Sequence, residues 1–547
     1  MEDRRCGAAQ GEWASQERRI HFMRGVVMMT RSSQRIALPL LLALLGSAAA
    51  PCFAQPDDSP AIARRDAELD NLLTQKARDI LERVKLVDGQ VRSRRVDVVA
   101  DVAAGVLTIS LDRSFLPETH GASYEDQTSE INFGLLHWAE QVAPFHRVIH
   151  LYDGQPAEYY FPEIKAADDA AREAGEAIRQ RRAGGGSGMA FVAAGHGYFY
   201  SYRHNEWVTS RDEWNGVSEG LLTPYYADSL KEAIEQRSQM PVIRPRVQDM
   251  GATHAPSGKE WWTMAARYAI AEQYPGERQI WNTYANSSLW NREELEDINS
   301  RPLLANHLQT EVAIHLHSNA EPSLNARGSR VIVQPGRPAD AALAQSVLCS
   351  MKELIQSAPG YVDFTVAPAP HAENKGENRE AKMPSIIVET AFHTNPDDAR
   401  ALQDPIFRTA SMKGVEKGYR LWAQGKTCEP LSGQSIVDVD IPSGESREVD
   451  VAFAGHPQFP ISLVTSNTLC PPGWGCNGRT VVIDSPDQPS RMKLSCGRNS
   501  VGTLGWETHV VDADGVKTQP MPHTVRCVAA GSPDRSTPAR NVAGLVQ

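Results

Sequence analysis

Three strand-like segments of the chain end in polar residues of the kind that bind metals. His196 follows the apolar run FVAAG, and Glu389 lies within IIVETAFHTN. His315 and His317 alternate with apolar residues in AIHLHSNA. Imidazole nitrogens and carboxylate oxygens ligate zinc, and three protein ligands leave one position for a water whose pKa falls to about 7. Since a further carboxylate can take the proton from that water, the pattern predicts a metallohydrolase site.

Each of these features also has an ordinary structural explanation when it is considered alone. A GHG tripeptide is more often a turn with an incidental histidine than a metal site. His315 and His317 point to one face of a strand and could be core histidines with satisfied partners. Glu389 could be a buried, paired carboxylate, because burying an unpaired charge is costly. The metal hypothesis is favoured because three separate strands break their apolar pattern at the same end.

The elements that would position these residues follow the segment GGGSG at 184–188, whose composition is typical of a flexible linker. From there, short apolar runs alternate with helical patterns. We predict strands at 189–194, 241–244, 312–317, 331–334 and 385–390, and helices at 224–237, 259–273, 293–308, 339–357 and 397–424. This alternation predicts an α/β fold, in which a mostly parallel sheet has helices on both faces. Ligands of such sheets bind beyond the carboxyl ends of the strands.

The motifs of this region resemble those of the zinc-dependent N-acetylmuramoyl-L-alanine amidases of the amidase_3 type. That family has a GHG strand end, a glutamate before the first helix, a segment of the form R…AN…IHAN, and a final MPxxLVExGFxxN followed by two helices. The resemblance covers residues 189–424 in four ordered motifs. They are GHG with His196, GVSEGLLTPYYADSLKEAIE with Glu219, RPLLANHLQTEVAIHLHSNA with Arg301, Ala305, Asn306 and His317, and MPSIIVETAFHTN with Glu389 and Asn395.

Carried over position by position, the resemblance implies a set of zinc ligands and a catalytic acid/base. The ligands of Zn²⁺ would be His196, Glu219 and His317, and Glu389 would be the acid/base. His315 would lie beside the ligands, because the HSNA ending aligns His317 with the family's histidine. The implied reaction is hydrolysis of the amide between the lactyl group of N-acetylmuramic acid and L-alanine in peptidoglycan.

Glu219 is a reasonable ligand from its local sequence as well. Thr223 and Pro224 have the residue types preferred at the N-cap and first position of a helix. We therefore predict that Glu219 lies in the loop before that helix, where it is free to reach a metal. Without the family pattern, an exposed loop glutamate would be the more common interpretation.

The chain departs from the family pattern in three places. Ala193 and Ala194 stand where the family usually has Asp-Pro, and Tyr198 replaces a glycine. The spacing from His196 to Glu219 is longer than usual. The third departure is an insertion at 245–291, which could form a lid or an autoinhibitory segment, or a surface excursion with its own small core.

Composition restricts the function classes. The chain has 547 residues, with 56 lysines and arginines against 67 acidic residues and a formal net charge of −11. An acidic balance argues against nucleic-acid binding, which needs basic residues to neutralise phosphates. The length exceeds that of one domain, at roughly 100 to 200 residues each. No spanning membrane segment is expected in the mature chain, since no apolar run reaches about 18 residues.

The start of the chain reads as an export signal. Arg31 and Arg35 precede an apolar stretch that ends in small residues, which predicts a signal peptide cleaved after Ala54. Because the stretch before Arg31 is long for a signal sequence, Met28 or Met29 is a candidate start. We therefore expect an N-terminal extension and signal peptide at 1–54, and a protein of the periplasm or of the extracellular cell wall.

The catalytic domain, predicted at 189–428, would have a module on either side. Residues 55–183 combine helical and strand patterns and predict a small α+β module. Residues 432–530 contain short alternating strands with turn residues and four cysteines, which predicts a β-sandwich held by disulfides. Residues 531–547 would be a tail.

Six cysteines remain after the leader, an even number that indicates three disulfides in an exported protein. Sequence alone permits 15 pairings. Our hypothesis pairs Cys349 with Cys428, where two helices of one face would lie side by side. Five residues of turn-forming type separate Cys470 from Cys476, and a third pair would join the two remaining cysteines, Cys496 and Cys527.

Two rival functions remain open. A zinc peptidase acting on cell-wall peptides would use similar ligands, although the HxxE and HExxH spacings are absent around His196. A non-catalytic wall-binding scaffold is the other, and the retention of all four chemical residues argues against it. The expected partner is a peptidoglycan muropeptide, and the sequence does not identify an activating protein.

Overall fold

The structure, a computed structural model, describes residues 60–181 and 188–531. The predicted leader at 1–54, residues 184–187 of the predicted linker and the tail from residue 532 lie outside the described residues. Within the described ranges, no helix combines the length and apolar character needed to cross a membrane.

Helices and strands alternate through most of this part of the chain. The described helices are α1 (Pro60–Arg83), α2 (Ala122–Ala139), α3 (Ala157–Tyr160), α4 (Pro162–Arg181), α5 (Glu219–Ala233), α6 (Ala266–Gln273), α7 (Arg278–Trp281), α8 (Arg292–Leu308), α9 (Pro338–Ser357), α10 (Gly376–Glu380), α11 (Pro396–Gln403) and α12 (Pro405–Ala423). The strands up to residue 392 are β1 (Val96–Asp101), β2 (Val106–Leu111), β3 (Arg147–Tyr152), β4 (Gln155–Pro156), β5 (Ala190–Ala194), β6 (Tyr198–Ser201), β7 (Glu206–Thr209), β8 (Val242–Ile243), β9 (Thr253–His254), β10 (Lys259–Glu260), β11 (Val312–Asn319), β12 (Arg330–Val333), β13 (His371–Ala372) and β14 (Ser385–Phe392).

A ten-stranded sheet organises this region, in the order β1-β2-β3-β13-β12-β14-β11-β5-β8 with β4 beside β3. Six strand pairs are parallel. The pairs β1–β2, β3–β4 and β12–β14 are antiparallel. The predicted fold, a mostly parallel sheet within an α/β domain, is confirmed.

Helices cover both faces of the central strands, as predicted. Val192 of β5 packs on one face with Leu343 of α9 and with residues of α5 and α12. Its neighbour Phe191 points to the opposite face, because successive side chains of a strand alternate. There it packs with Ile270 of α6 and Leu304 of α8. Burial on both faces explains why these strands are almost wholly apolar up to the residues at their carboxyl ends.

The N-terminal strands extend the same sheet. β3 lies parallel to β13, with Arg147 opposite Ala372. The apolar core below β1–β3 includes Ile387 of β14 and Phe392 at its end. Sheet and core therefore run through residues that the sequence assigns to two modules, and the boundaries at 55–183 and 189–428 stay a prediction.

The helix that carries Glu219 begins earlier than predicted. We expected Thr223 and Pro224 to start it, but α5 begins at Glu219 and Pro224 lies inside it. Proline has no N–H for the carbonyl four residues before it, and the Gly220 oxygen accepts from Arg246 Nη1 at 2.8 Å instead. Arg246 thus satisfies the carbonyl that Pro224 leaves without a partner, and the proline can lie inside the helix rather than at its start.

Two other predicted helices differ in their bounds. The first half of the helix predicted at 259–273 is wrong, because Trp261 and Ala265 donate their backbone N–H groups to Ala252 and Tyr198. These tertiary bonds favour a short strand and a single helical turn before α6. The helix predicted at 397–424 is two helices, divided where the Asp404 side chain accepts from Ile406 N at 2.8 Å.

The C-terminal region is rich in sheet, as predicted. Its strands are β15 (Ser432–Gly433), β16 (Val439–Pro442), β17 (Ser446–Asp450), β18 (Phe453–Ala454), β19 (Ile461–Leu469), β20 (Arg479–Ile483), β21 (Arg491–Ser495), β22 (Gly502–Val511) and β23 (Met521–Val528). A five-stranded sheet β16-β23-β22-β19-β20 is accompanied by the pair β17–β21. Both contribute to one apolar core.

All three disulfide pairings of our hypothesis are confirmed. Cys349 of α9 is joined to Cys428, just after α12. Cys470 pairs with Cys476 across the predicted turn. The third disulfide ties Cys496 to Cys527 of β23. The helices next to the first disulfide, α9 and α12, lie side by side on the same face of the sheet, since both contribute to one core.

Candidate metal centre and active site

The three predicted ligands meet at the carboxyl end of the sheet. His196 follows β5, Glu219 is the first residue of α5, and His317 lies near the end of β11. Oε1 of Glu219 lies 3.0 Å from Nδ1 of His317 and 3.7 Å from Nε2 of His196. One ligand atom from each residue lies within 4.8 Å of the others. This spacing allows all three to reach one ion.

Two glycines make the close approach of these residues possible. A Cβ atom at Gly195 would lie 2.4 Å from Cε1 of His317, so the imidazole ring packs directly on the glycine backbone. At Gly220, a Cβ would lie 2.7 Å from the backbone nitrogen of Gly197. His196, between Gly195 and Gly197, has a φ of 58°, a left-handed conformation that is uncommon outside glycine. The backbone is therefore shaped to present His196 to the site.

Hydrogen bonds hold the Glu219 side chain and the strand end beside it. Glu219 Oε1 also accepts from the backbone N–H of Ser318 at 3.0 Å. Thr223, predicted as an N-cap, instead donates its hydroxyl to the Gly195 carbonyl at 2.9 Å. Burial alone would raise the pKa of Glu219, but the hydrogen bond and charge of His317 lower it. The lowered pKa favours the ionised form of Glu219, which attracts a positive charge.

The electrostatics of the three residues fit a bound cation. Burial would lower the pKa of His317, but Glu377 and Glu219 raise it to about 10. Nδ1 of His196 is buried without a hydrogen-bond partner. Two imidazoles and a carboxylate are a donor set that zinc accepts, with a fourth position left for water. The residues present therefore fit the zinc ion that the sequence implies.

Glu389 lies next to the ligands, on β14. It is paired in register with His317 of the parallel strand β11. Only 8% of the residue is exposed, and its Oε2 atom has no hydrogen-bond partner. Burial raises the pKa of Glu389 to about 8, against the opposing charge of His317. A carboxylate in this position and environment is suited to accept and return a proton.

His315 lies on the same face as His317 but outside the ligand group. It is fully buried, and its Nδ1 atom lies 3.5 Å from Oε1 of Glu377. Burial lowers the pKa of His315 to about 4, which favours the neutral ring. Among the described residues, His196, Glu219 and His317 form the group able to hold a metal, and His315 does not belong to it.

The remaining motif residues have structural contacts. Asn306 donates to the Glu380 carbonyl at 2.8 Å and accepts from Lys382 N at 2.8 Å, which fixes the approach to β14. Asn395 caps α11. Arg301 is fully buried and forms ion pairs with Asp297 and Glu377. These residues stabilise the elements that surround the candidate site.

Sequence reasoning missed two charged residues close to the site. Glu377 Oε2 lies 2.9 Å from Nε2 of His317. Arg211 forms ion pairs with Asp126 of α2 and Glu294 of α8, and its charge helps to lower the pKa of Glu219. Both residues come from polar stretches that the sequence marks only as connections. No periodicity or motif could have singled them out.

The structure also shows how the chain folds where it departs from the family pattern. The hairpin β6–β7 occupies part of the longer stretch between His196 and Glu219. The insertion at 245–291 contributes Arg246, which donates to Gly220 and to Trp262 O at 2.7 Å. Ile270 and Ile280 of the insertion share a core with Phe191. The insertion thus packs on the sheet and braces the turn that carries Glu219.

A protein-family model matches the segment that contains this site. Residues 194–419 match the family model Amidase_3, N-acetylmuramoyl-L-alanine amidase. Among solved structures, the chain is similar to the catalytic domain of CwlV, an N-acetylmuramoyl-L-alanine amidase from Bacillus (Paenibacillus) polymyxa var. colistinus. The identity is 14%, over 44% of this chain and 99% of that chain, with a TM-score of 0.28.

Two further solved structures are similar to the same extent. N-acetylmuramoyl-L-alanine amidase AmiC2 of Nostoc punctiforme is 14% identical over 44% of this chain and 99% of that chain, with a TM-score of 0.30. The CwlD amidase of Clostridioides difficile, solved in complex with the GerS lipoprotein, is 13% identical over 44% and 99%, with a TM-score of 0.29. No curated protein sequence matches this chain.

The family match includes all four residues to which the sequence assigned chemistry. His196, Glu219, His317 and Glu389 fall within it, and so do α11 and most of α12, the two helices that follow β14. The match to the Amidase_3 model thus covers the whole candidate site.

Proposed function

We propose that this protein is an exported, zinc-dependent N-acetylmuramoyl-L-alanine amidase. Its substrate would be peptidoglycan, and the bond cleaved would join the lactyl group of N-acetylmuramic acid to L-alanine. One observation carries the proposal. Within the segment that matches the amidase family, two imidazoles and a carboxylate converge with ligand atoms within 4.8 Å, and Glu389 lies in register beside His317.

His196, Glu219 and His317 would hold the ion. Each comes from a different element, and each is braced by the backbone contacts described above. Their ligand atoms lie within 4.8 Å of one another, and three protein ligands would leave a fourth coordination position for water. A bound zinc would polarise the amide carbonyl and lower the pKa of that water.

Glu389 is assigned the proton transfer. Its Oε2 atom is free of hydrogen bonds and would accept the proton of the attacking water. Burial raises the pKa of Glu389, which favours the protonated form that would deliver the proton to the leaving amine nitrogen. One residue thus acts first as base and then as acid.

The proposed organisation follows from the same assignment. Residues 1–54 would direct export to the periplasm or the cell wall and would then be removed. Residues 189–428 would form the catalytic domain, with the module at 55–183 before it and the β-sandwich at 432–530 after it. The three disulfides support an oxidising compartment, because such bonds persist outside the cytosol.

Analysis of the cleavage products tests the reaction class. Purified protein is incubated with peptidoglycan, with and without a chelator, and the released ends are identified by mass spectrometry. We expect free L-alanine amino ends and free lactyl carboxyl groups on the glycan, and neither in the presence of chelator. New ends inside the stem peptide would indicate a zinc peptidase. Glu389→Gln is the matched control, since it should release neither product.

A further inference from the structure

Glu377 is a buried carboxylate to which the reaction above assigns no part. It lies in α10 and is 5% exposed. Its Oε2 atom is 2.9 Å from Nε2 of His317, whereas Oε1 of Glu219 is 3.0 Å from Nδ1 of the same ring. The imidazole of His317 is therefore held between two carboxylates, one at each nitrogen.

The two nitrogens of a neutral imidazole have different roles, because only one of them carries the proton. If Nδ1 of His317 joins Glu219 in binding a metal, the proton must reside on Nε2. Glu377 is the carboxylate within reach of that nitrogen. Nε2 has no aligned hydrogen bond in the present arrangement, although Oε2 of Glu377 lies 2.9 Å away, so a small rotation of either side chain would complete it.

We infer that Glu377 is a positioning residue, which accepts a hydrogen bond from Nε2–H of His317 and so directs Nδ1 to the metal, and that the N-terminal module holds Glu377 in place. Carboxylates with this relation to a ligating histidine orient the ring and raise its basicity at many zinc sites. The inference rests on the proposed function, because it requires that His317 binds the metal.

The second oxygen of Glu377 is fixed by Arg301. Oε1 of Glu377 forms an ion pair with Nη1 of this fully buried arginine, and Nη2 of Arg301 lies 3.2 Å from Oδ2 of Asp297. With Oε1 engaged, Oε2 is left for His317. Two carboxylates compensate the buried guanidinium, so the loss of Glu377 would leave Arg301 with Asp297 alone.

The backbone around Glu377 is held from the N-terminal helix α2. Oε2 of Glu125 accepts from the backbone N–H of Gly376 at 2.9 Å, and Oε1 accepts from Arg379 Nη1 at 2.8 Å. Lys375 Nζ donates to the carbonyl of Glu125 at 2.7 Å. One residue of α2 therefore fastens the chain on both sides of Glu377. This gives the N-terminal module a part in the site, although it contributes no ligand.

Zinc affinity of the full chain tests the inference. We would measure it by competition with a chromophoric chelator for the unchanged protein, Glu377→Ala, Glu377→Gln and Glu125→Gln. Glu380→Gln is the matched control, because Glu380 lies in the same helix and pairs with Arg379 rather than with His317. Loss of a carboxylate of this kind typically weakens metal binding by 10- to 100-fold.

We expect that range for Glu377→Ala and a smaller weakening for Glu377→Gln, whose amide oxygen can still accept a hydrogen bond from Nε2–H. Glu125→Gln should weaken zinc binding several-fold, and Glu380→Gln should leave the zinc affinity unchanged. The visible spectrum of the Co²⁺-substituted protein should shift in both Glu377 variants, because the geometry at His317 changes. A stability defect alone would not move that spectrum.

Folding is checked for each variant by circular dichroism and melting temperature. If Glu377→Ala does not fold, Glu377→Gln decides. Folded Glu377 variants with unchanged zinc affinity and an unchanged Co²⁺ spectrum would overturn the positioning role. Unchanged affinity in folded Glu125→Gln would overturn the part assigned to the N-terminal module. Failure of the unchanged protein to bind zinc would overturn the proposed function, and this inference with it.

Discussion

His317 and Glu389 stand opposite each other on the adjacent parallel strands β11 and β14. Residues paired in register share one face of a sheet, so the two side chains lie on the same face. One strand pair thus places an imidazole of the candidate metal site beside a carboxyl whose pKa burial raises to about 8. This pairing relates metal binding to proton transfer in the proposed reaction.

The first prediction concerns metal content. The protein should bind about one zinc per chain, and His196→Ala or His317→Ala should remove both the zinc and the activity. Three protein ligands are the usual number for a catalytic zinc, and two would hold it weakly. Metal analysis after dialysis against a weak chelator provides the measurement. Near-stoichiometric zinc in His317→Ala would show that this ligand is assigned wrongly.

The second prediction uses the packing of His317 on Gly195. Gly195→Ala should weaken zinc binding at least 10-fold, because its Cβ would lie 2.4 Å from Cε1 of His317 and would displace the ring. Gly276→Ala is the control, since no atom lies within 4 Å of a Cβ at that position. Zinc titration of both variants decides. Equal affinities would mean that the ring tolerates displacement.

The sequence singled out the residues of the candidate site but not the residues that contact them. His196, His317 and Glu389 could be found because each interrupts an apolar strand. Glu377 could not, because its contact with His317 joins the sheet to a polar connection 60 positions further along. Only the folded chain brings these two residues together.

The start of α5 shows how a local rule was overridden. Pro224 predicts a helix start, but Arg246 supplies the hydrogen bond that the proline lacks. The shared sheet is a similar case. β3 and β13 pair through one residue each, Arg147 and Ala372, and the two-residue strand β13 is not among the predicted strands. Local propensity cannot show such contacts between distant segments.

The third prediction concerns acid stability. Burial alone would raise the pKa of Glu373, but Lys375, His371 and Ser129 lower it to about 2. A carboxylate with a lowered pKa stabilises the folded state above its unfolded value, near 4.5, and this contribution disappears as the pH falls toward 2. It amounts to at most about 3 kcal/mol at neutral pH.

Glu373→Gln should therefore reduce the free energy of unfolding at pH 7 and flatten its decline between pH 4.5 and 2. Urea unfolding across this range measures both effects. Glu82→Gln, at an exposed position of α1, is the control and should behave like the unchanged protein. A Glu373→Gln variant with the original pH profile would show that this carboxylate does not contribute to acid sensitivity.

The fourth prediction compares two disulfides. Cys349 and Cys428 are separated by 79 positions, whereas Cys470 and Cys476 are separated by 6. Chain-entropy estimates give about 4 kcal/mol for the longer loop and about 2 kcal/mol for the shorter one. Replacing the first pair by alanines should thus lower stability more than replacing the second. Urea unfolding of the two double variants, without reductant, checks the order, and the reverse order would contradict it.

Zinc content and product release in Glu389→Gln test the central claim most directly. The amide is nearly isosteric with the carboxylate but cannot accept the proton from water, so turnover on peptidoglycan should fall by about 100- to 10,000-fold. Zinc should remain near one per chain, because Glu389 is not among the ligands. Both quantities are measured on one preparation, by metal analysis and by mass spectrometry of released L-alanine ends. Turnover close to that of the unchanged protein, with the zinc in place, would contradict the proposed mechanism.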